Sequence, residues 1–260
     1  MFTADRLLRR ASAPGTSPVD WRGLGLTMSS PLVRAEAPAP RQLRHPAELP
    51  FFVFMLVLNV IIVVAILRTA IVLPFLPETL KASGFAAAIR AALLGLLLLV
   101  PGLIVVRETQ RAAVRGTAVA LSPSQFPDLY RSAQDFADEL GLQRRPDIFL
   151  TNGNGSLNAF AAQATGHDYV VLSNELFGSL YNNNREGLRF ILGHEMGHVR
   201  LHHVSLWYQI AVAYSERIPL LGPALSRLRE YSCDRHGAYL APGALRAWCC
   251  SPPAAIRRTT

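Results

Sequence analysis

The sequence predicts an α+β fold, mainly helical with a small antiparallel sheet, preceded by two transmembrane helices. Three observations carry that prediction. Two long apolar runs lie between residues 51 and 106. Strand-length apolar segments separated by turn residues lie between 147 and 173. Segments of helical period surround them, and one holds His194-Glu195-Met196-Gly197-His198.

At 260 residues the chain can hold one sizeable domain with additions. Half of its residues are hydrophobic, and the mean hydropathy is positive, at +0.23. The formal charge of +8 is carried almost wholly by arginine, Lys81 being the single lysine. These arginines flank apolar runs without aromatic residues between them, which points to membrane orientation and away from a nucleic-acid partner. The cysteines are Cys233, Cys249 and Cys250, with no CxxC pair. That pattern argues against a disulfide framework and for a reducing compartment.

Residues 1–48 are rich in Arg, Pro, Ala and Ser without a sustained period, and read as a disordered basic arm. Residues 49–107 read as a two-helix transmembrane hairpin. Phe51 to Leu67 is apolar apart from Asn59, and extension to Leu73 gives the length of about 20 residues that a bilayer core requires. Gly84 to Val106 supplies the second run, in which Pro101 is tolerable. Arg68 and Arg90 would each cost about 2.5–3.5 kcal/mol at mid-membrane, so both are expected near the connector of residues 74–83, snorkelling to one interface. Arg34, Arg41 and Arg44 before the first run, with Arg107, Arg111 and Arg115 after the second, put both flanks on the cytoplasmic side.

Residues 108–245 read as the folded domain. Ser124 to Leu142 has helical period, with Gly141 as C-cap. Strand candidates are Asp147 to Thr151, Leu157 to Ala162 and Tyr169 to Ser173, separated by Asn152 to Gly155 and by Thr165 to Asp168. Helices follow at Asn174 to Tyr181 and at Arg185 to Val204, with Asn182 to Asn184 supplying an N-cap. A hydrophobic stretch, Leu206 to Ala213, leads to a last helix from Ala224 to Leu240. Residues 246–260 lack helical period and read as an irregular, truncated tail.

The chemistry starts from His194 and His198. Four apart on a helix, they share one face about 5.4 Å apart along the axis, close enough to reach one zinc ion. Glu195 sits beside them as a candidate general base. Leu201 and Val204 stand where a metzincin would need Gly and His. Glu230, on a following helix, can complete a two-His, one-carboxylate site, and Asp234 lies on the same face and can accept a ligand ring N–H. An ordinary solvated face shared with Arg227 and Arg235 also explains Glu230 and Asp234, and for an arbitrary helix it is the usual explanation. His202 and His203 read as polar helix-end residues rather than ligands. His167 and His236 have no metal spacing, and His45 reads as interfacial.

Asn158-Ala159-Phe160-Ala161, then HEMGH at 194–198, then Glu230 and Asp234 stand in the order and spacing of a known pattern. The chain resembles the HtpX-like zinc metallopeptidases, the family that includes the CAAX prenyl proteases, over about residues 45 to 242. The resemblance implies a zincin-type metalloprotease domain with one Zn2+ per chain. It implies His194, His198 and Glu230 as zinc ligands, Glu195 as catalytic base and Asp234 as a support for a ligand histidine. It implies a substrate strand laid along Leu157 to Ala162, with Asn158 and Ala159 as substrate-binding residues. The partners implied are a protein or peptide substrate and the lipid bilayer, with the catalytic domain on the cytoplasmic side of a bacterial inner membrane. Two functions fit: a membrane-anchored endopeptidase acting in membrane protein quality control, or a catalytically impaired homologue serving as a membrane binding protein.

Overall fold

The computed structural model describes residues 43–75, 77, 79, 84–164, 166–181 and 183–244. The arm as far as residue 42, the tail at 246–260 and the connector charges Glu78 and Lys81 lie outside the described residues. Helix α1 spans Glu48–Val72 and helix α2 spans Gly84–Thr117, 25 and 34 residues respectively. At 1.5 Å per residue these are about 37 and 51 Å long, more than the roughly 30 Å of a bilayer core. Both are long and apolar enough to cross a membrane. Val53, Phe54, Val57, Ile61, Val64 and Ile71 of α1 are exposed, as are Leu94, Leu97, Leu98 and Val105 of α2. Core helices of a globular protein would bury such side chains, so these two helices are solvated by something apolar or carry a large hydration penalty. Pro101 is accommodated within α2, and Arg68 and Arg90 are both exposed.

Four short strands form one sheet: β1 Val119–Ala120, β2 Asp147–Thr151, β3 Ala159–Ala164 and β4 His167–Ser173. Their order is β1-β2-β4-β3. The sheet is mixed, which corrects the expected antiparallel one: β2 pairs with β4 in parallel, while β1–β2 and β3–β4 are antiparallel. The reason lies in β4. Tyr169 to Ser173 are all buried, as a central strand requires, so β4 takes the middle position. β3 then leaves β2 and pairs only with β4, becoming the edge. β3 starts at Ala159, two residues later than its alternation suggested.

Helix α3 spans Pro127–Glu139, shorter than expected at both ends. Pro127 at its start follows Phe126, whose φ of 53° is not helical. Gly141 adopts φ 63° and its N–H caps the Asp138 carbonyl at 3.0 Å, as a C-terminal glycine does. Helix α4 spans Asn174–Tyr181. Helix α5 spans Arg185–Arg200, and Asn184 caps it by accepting the Gly187 N–H at 2.9 Å. It stops before Val204 because His202 turns left-handed, at φ 60°. Helix α6, Leu206–Val212, is capped by Ser205 Oγ accepting the Tyr208 N–H. Helix α7 spans Leu221–Leu240 and starts three residues earlier than expected. The main core joins Leu129 and Phe136 of α3 and the following Leu140 to Val170 and Leu172 of β4 and to Leu188, Leu192 and Met196 of α5.

A second apolar cluster ties α1 to the domain: Met55 packs with Tyr208, Val212 and Leu225, and Phe52 stacks on Tyr208 at 4.6 Å. Beside it, Asn59 is the polar residue that interrupts the first apolar run. Its Oδ1 accepts the N–H groups of Tyr214 (2.8 Å) and Ser215 (3.4 Å), and its Nδ2 donates to the Ile210 carbonyl (3.3 Å). Asn59 is buried, so replacing it strands backbone groups that have no water to turn to. We expect Asn59→Leu to destabilise the domain by about 1–3 kcal/mol. Thermal unfolding in detergent checks this; an unchanged midpoint would show that the three hydrogen bonds contribute nothing.

Candidate metal centre

The site is built where α5 crosses α7. Three glycines line the crossing. A Cβ on Gly197 would stand 3.1 Å from the His236 Cβ and 3.2 Å from the Cys233 Cα. One on Gly237 would stand 2.9 Å from the Phe190 carbonyl oxygen, and one on Gly193 3.2 Å from Leu240. The two backbones therefore meet without side chains between them. That approach brings the Glu230 and Asp234 face of α7 against the His194 and His198 face of α5.

His194 Nε2 lies 3.2 Å from Glu230 Oε2, and His198 Nε2 lies 3.7 Å from Glu230 Oε1. One ligand atom from each of the three residues falls within 4.8 Å of the others. Two ligands each about 2.1 Å from a tetrahedral zinc ion stand about 3.4 Å apart, so the separations and the donor set of two imidazoles and a carboxylate suit zinc. His194 Nδ1 meets Asp234 Oδ1 at 3.0 Å, leaving Nε2 for the site. The solvated-face alternative for Glu230 and Asp234 does not describe this arrangement, since both carboxylates engage His194. They remain about half exposed, at 51% and 55%, while the two histidine side chains are 16% and 17% exposed, so the cluster opens on one side.

Glu195, next to His194 in the chain, is buried and close enough to His194 and Glu230 to feel their charges. Burial raises its carboxyl pKa, and Glu230 adds to this, while the His194 charge and a hydrogen bond from the Ala161 backbone oppose it. Burial also pulls the His194 imidazole down, but Asp234, Glu230 and Glu195 outweigh it and hold its pKa at about 9 in the metal-free protein. His198 is pushed the opposite way, to about 4, by burial and by the neighbouring His203 and His194.

The edge strand passes next to this base. Ser173 N–H donates to the Asn158 carbonyl at 2.8 Å, and Asn158 N–H donates to Ser173 Oγ at 3.0 Å. The backbone of Asn158 therefore faces β4, and by alternation Ala159, Ala161 and Gln163 turn theirs to the free edge. The Glu195 contact with the Ala161 backbone and the Arg107 Nη1 contact with the Gln163 carbonyl (3.1 Å) agree with that alternation. Of the two residues expected to meet an added strand, Ala159 offers its backbone there. Asn158 is exposed, and only its side chain is left for that purpose.

His203 corrects the reading of it as a polar helix-end residue. Because α5 ends at Arg200 and the chain turns at His202, His203 folds inward and is 4% exposed. Its Nδ1 lies 3.1 Å from His198 Nδ1 and 3.7 Å from Cys233 Sγ, and its Nε2 lies 3.1 Å from Glu48 Oε1. His198, His203 and Cys233 form a second group of ligand-type atoms. Burial pushes the Cys233 thiol well above its ordinary range, so the thiolate that a metal would need is disfavoured there. Glu48, at the end of the arm by composition, is buried at the first residue of α1, and Leu43 is buried as well. Neither His203 nor Glu48 carried a spacing signal; they meet across 155 residues. His236 is buried, its Nδ1 bonded to the Ser232 carbonyl at 2.7 Å.

Comparison with known proteins gives first a class. The model of peptidase family M48 matches residues 123–213, which contain β2 to β4, α5 and α6. More closely, the chain is similar to proteins described as Protease HtpX homolog. The one from Streptococcus uberis is 30% identical over 115 residues, 44% of this chain and 37% of that protein. The one from Streptococcus thermophilus (strain LMG 18311) is 28% identical over 139 residues, 54% and 44% respectively, and the one from Streptococcus pneumoniae is 32% identical over 102 residues, 39% and 32%. The chain thus spans less than half the length of these relatives. No solved structure matches it. These findings support an HtpX-like M48 zinc metallopeptidase family for the chain, as the three motifs implied.

The helix crossing itself is testable. Gly197→Val forces branched carbons into Cys233 and His236, and overpacking of this kind typically costs about 1–3 kcal/mol. We expect a lowered unfolding midpoint, and a wild-type midpoint would show that the crossing can relax without loss.

Proposed function

We propose that the chain is a membrane-anchored, zinc-dependent endopeptidase that hydrolyses peptide bonds in proteins. The observation that supports this best is the convergence of His194, His198 and Glu230 beside a buried Glu195 that touches an open strand edge. In this reading the two imidazole Nε2 atoms and the Glu230 carboxylate hold one zinc ion. Zinc, when bound, supplies Lewis acidity towards the scissile carbonyl and towards water. Glu195 takes the proton from the attacking water onto a carboxylate oxygen and returns it to the leaving amine, a task suited by its raised pKa. Asp234 accepts the His194 Nδ1–H and keeps Nε2 available. The substrate adds as a strand on β3, hydrogen-bonded to Ala159 and its neighbours, with the Asn158 side chain at the start of the edge.

The two apolar helices serve as the membrane anchor. Arginines on both outer flanks favour a cytoplasmic catalytic domain at a bacterial inner membrane, and a role in membrane protein quality control is proposed on that basis.

Glu195→Gln should lower casein cleavage about 10²–10⁴-fold while zinc content stays at one per chain. Cleavage equal to wild type would remove Glu195 from the chemistry. If wild-type protein holding one zinc cleaves no protein substrate, the impaired-homologue reading replaces the enzyme. His194→Ala and Glu230→Ala should each lose the metal, by elemental analysis, and chelation should stop cleavage until zinc is returned.

The pH dependence follows from His194. Below about 9 its imidazolium carries the proton that zinc must displace. Apparent zinc affinity should therefore rise roughly tenfold per pH unit from 7 to 9 and then level off, with about one proton released per zinc. Calorimetry in buffers of different ionisation enthalpy measures that proton, and a flat profile over this range would contradict it.

A further inference from the structure

Glu48 opens a predominantly apolar helix, yet its carboxylate is turned away from water and is 1% exposed. One ion pair and two hydrogen-bond contacts surround it. Arg44 Nε lies 3.1 Å from Oε1, the Ser232 hydroxyl donates to Oε2, and His203 Nε2 lies 3.1 Å from Oε1. The Ser232 oxygen in turn accepts the His45 backbone N–H at 2.8 Å, and of the two acceptors within reach of its hydroxyl, Glu48 is nearer than the Leu228 carbonyl at 3.2 Å. A carboxylate paired with the Arg44 guanidinium and hydrogen-bonded to Ser232 is ionised and an acceptor only, which puts the proton of His203 on Nε2. A neutral imidazole has one N–H, so His203 Nδ1 carries a bare lone pair. That lone pair lies 3.1 Å from His198 Nδ1 and 3.7 Å from the Cys233 thiol, a weak donor, and in the shorter contact a bare nitrogen can be met only by an N–H on His198 Nδ1. His198, with its proton on Nδ1, is left with a bare Nε2 facing Glu230 and His194.

We infer that Glu48 and His203 are positioning residues for the metal centre: Glu48, through His203, holds His198 in the tautomer and ring orientation that leaves Nε2 to zinc. The inference rests on the proposed zinc site. It makes the support of the two histidines symmetric in kind. Asp234 holds His194 directly from α7, and Glu48 holds His198 through one intervening ring from α1. A helix long and apolar enough to cross a membrane thereby carries, in its first turn, part of the scaffold of the hydrolytic site.

The test uses full-length protein in detergent, with zinc affinity read by competition against a chelating dye and fold by thermal unfolding of the metal-free form. Outer hydrogen-bond partners of metal ligands commonly contribute about 10–100-fold in affinity. Glu48→Leu and His203→Phe should each weaken zinc binding by about that factor while stoichiometry stays at one. Glu48→Gln keeps a carbonyl that accepts the His203 N–H and should restore most of the loss, which a packing role would not require. The double variant Glu48→Leu/His203→Phe should bind no worse than the weaker single variant, because both break one chain. Wild-type affinity in Glu48→Leu, equal affinities for Glu48→Gln and Glu48→Leu, or losses that add in the double variant would each overturn the inference. So would a fall from two zinc ions to one in His203→Phe, which would make His203 a ligand. Absence of zinc binding by wild type is a different result, since it removes the proposed site itself and the inference with it.

Discussion

Direct contact between the backbones of α5 and α7 is the constraint on which the rest of the site depends. A methyl group at Gly237 would collide with the Phe190 carbonyl oxygen, and one at Gly197 would be tight against Cys233 and His236. With side chains at those positions the axes would have to separate, and a 3.2 Å contact between His194 and Glu230 would not survive the shift. The core supports the same geometry from the other side. Leu188, Leu192 and Met196 fix the rotation of α5 by packing against α3 and β4, so the remaining face, with both histidines, is obliged to look at α7. Glycine is a poor helix former, which α5 and α7 tolerate because packing rather than propensity sets their stability.

Burial of polar groups imposes the second layer of order. An imidazole removed from water without a partner is expensive, and each buried or half-buried histidine near the site answers that demand differently. His194 uses a carboxylate four residues beyond Glu230. His198 uses another histidine, and His203 passes the requirement on to Glu48. His236 bonds the carbonyl of its own helix one turn back. The result is a polar seam running from the opening of the cluster to the start of α1, fully internal at its far end. Such seams specify one arrangement of their elements, because any sliding of α1 relative to α7 leaves several groups unpaired at once.

Much of this was legible in the sequence, and the parts that were not have identifiable causes. The HEMGH helix was readable because its apolar period and its two histidines are properties of one local segment. Glu230 and Asp234 were readable as a pair on one helix face, but their direction was not, since that depends on how α7 is rotated against α5. The sheet was read as antiparallel because turn residues lie between neighbouring strands. Strand direction is decided instead by which strand takes the centre, and the uninterrupted apolar run of β4 was the available signal. His203 was misplaced because the end of α5 is set by the left-handed backbone of His202, a conformation that composition does not announce. Glu48 fell at the boundary between a basic arm and an apolar run, where local pattern is weakest and where its partners are most distant in the chain.

One contact at the sheet edge has a directional consequence. Arg107, arriving from α2, donates to the Gln163 carbonyl at 3.1 Å and to the Val204 carbonyl at 2.6 Å, spanning from the edge strand to the loop after α5. A guanidinium in that position works as an end-stop. The outward-facing backbone of β3 is taken at Gln163 by the arginine and at the Ala161 N–H by Glu195, while Ala159 lies beyond both. Any chain laid along this edge therefore meets a blocked end and an open end.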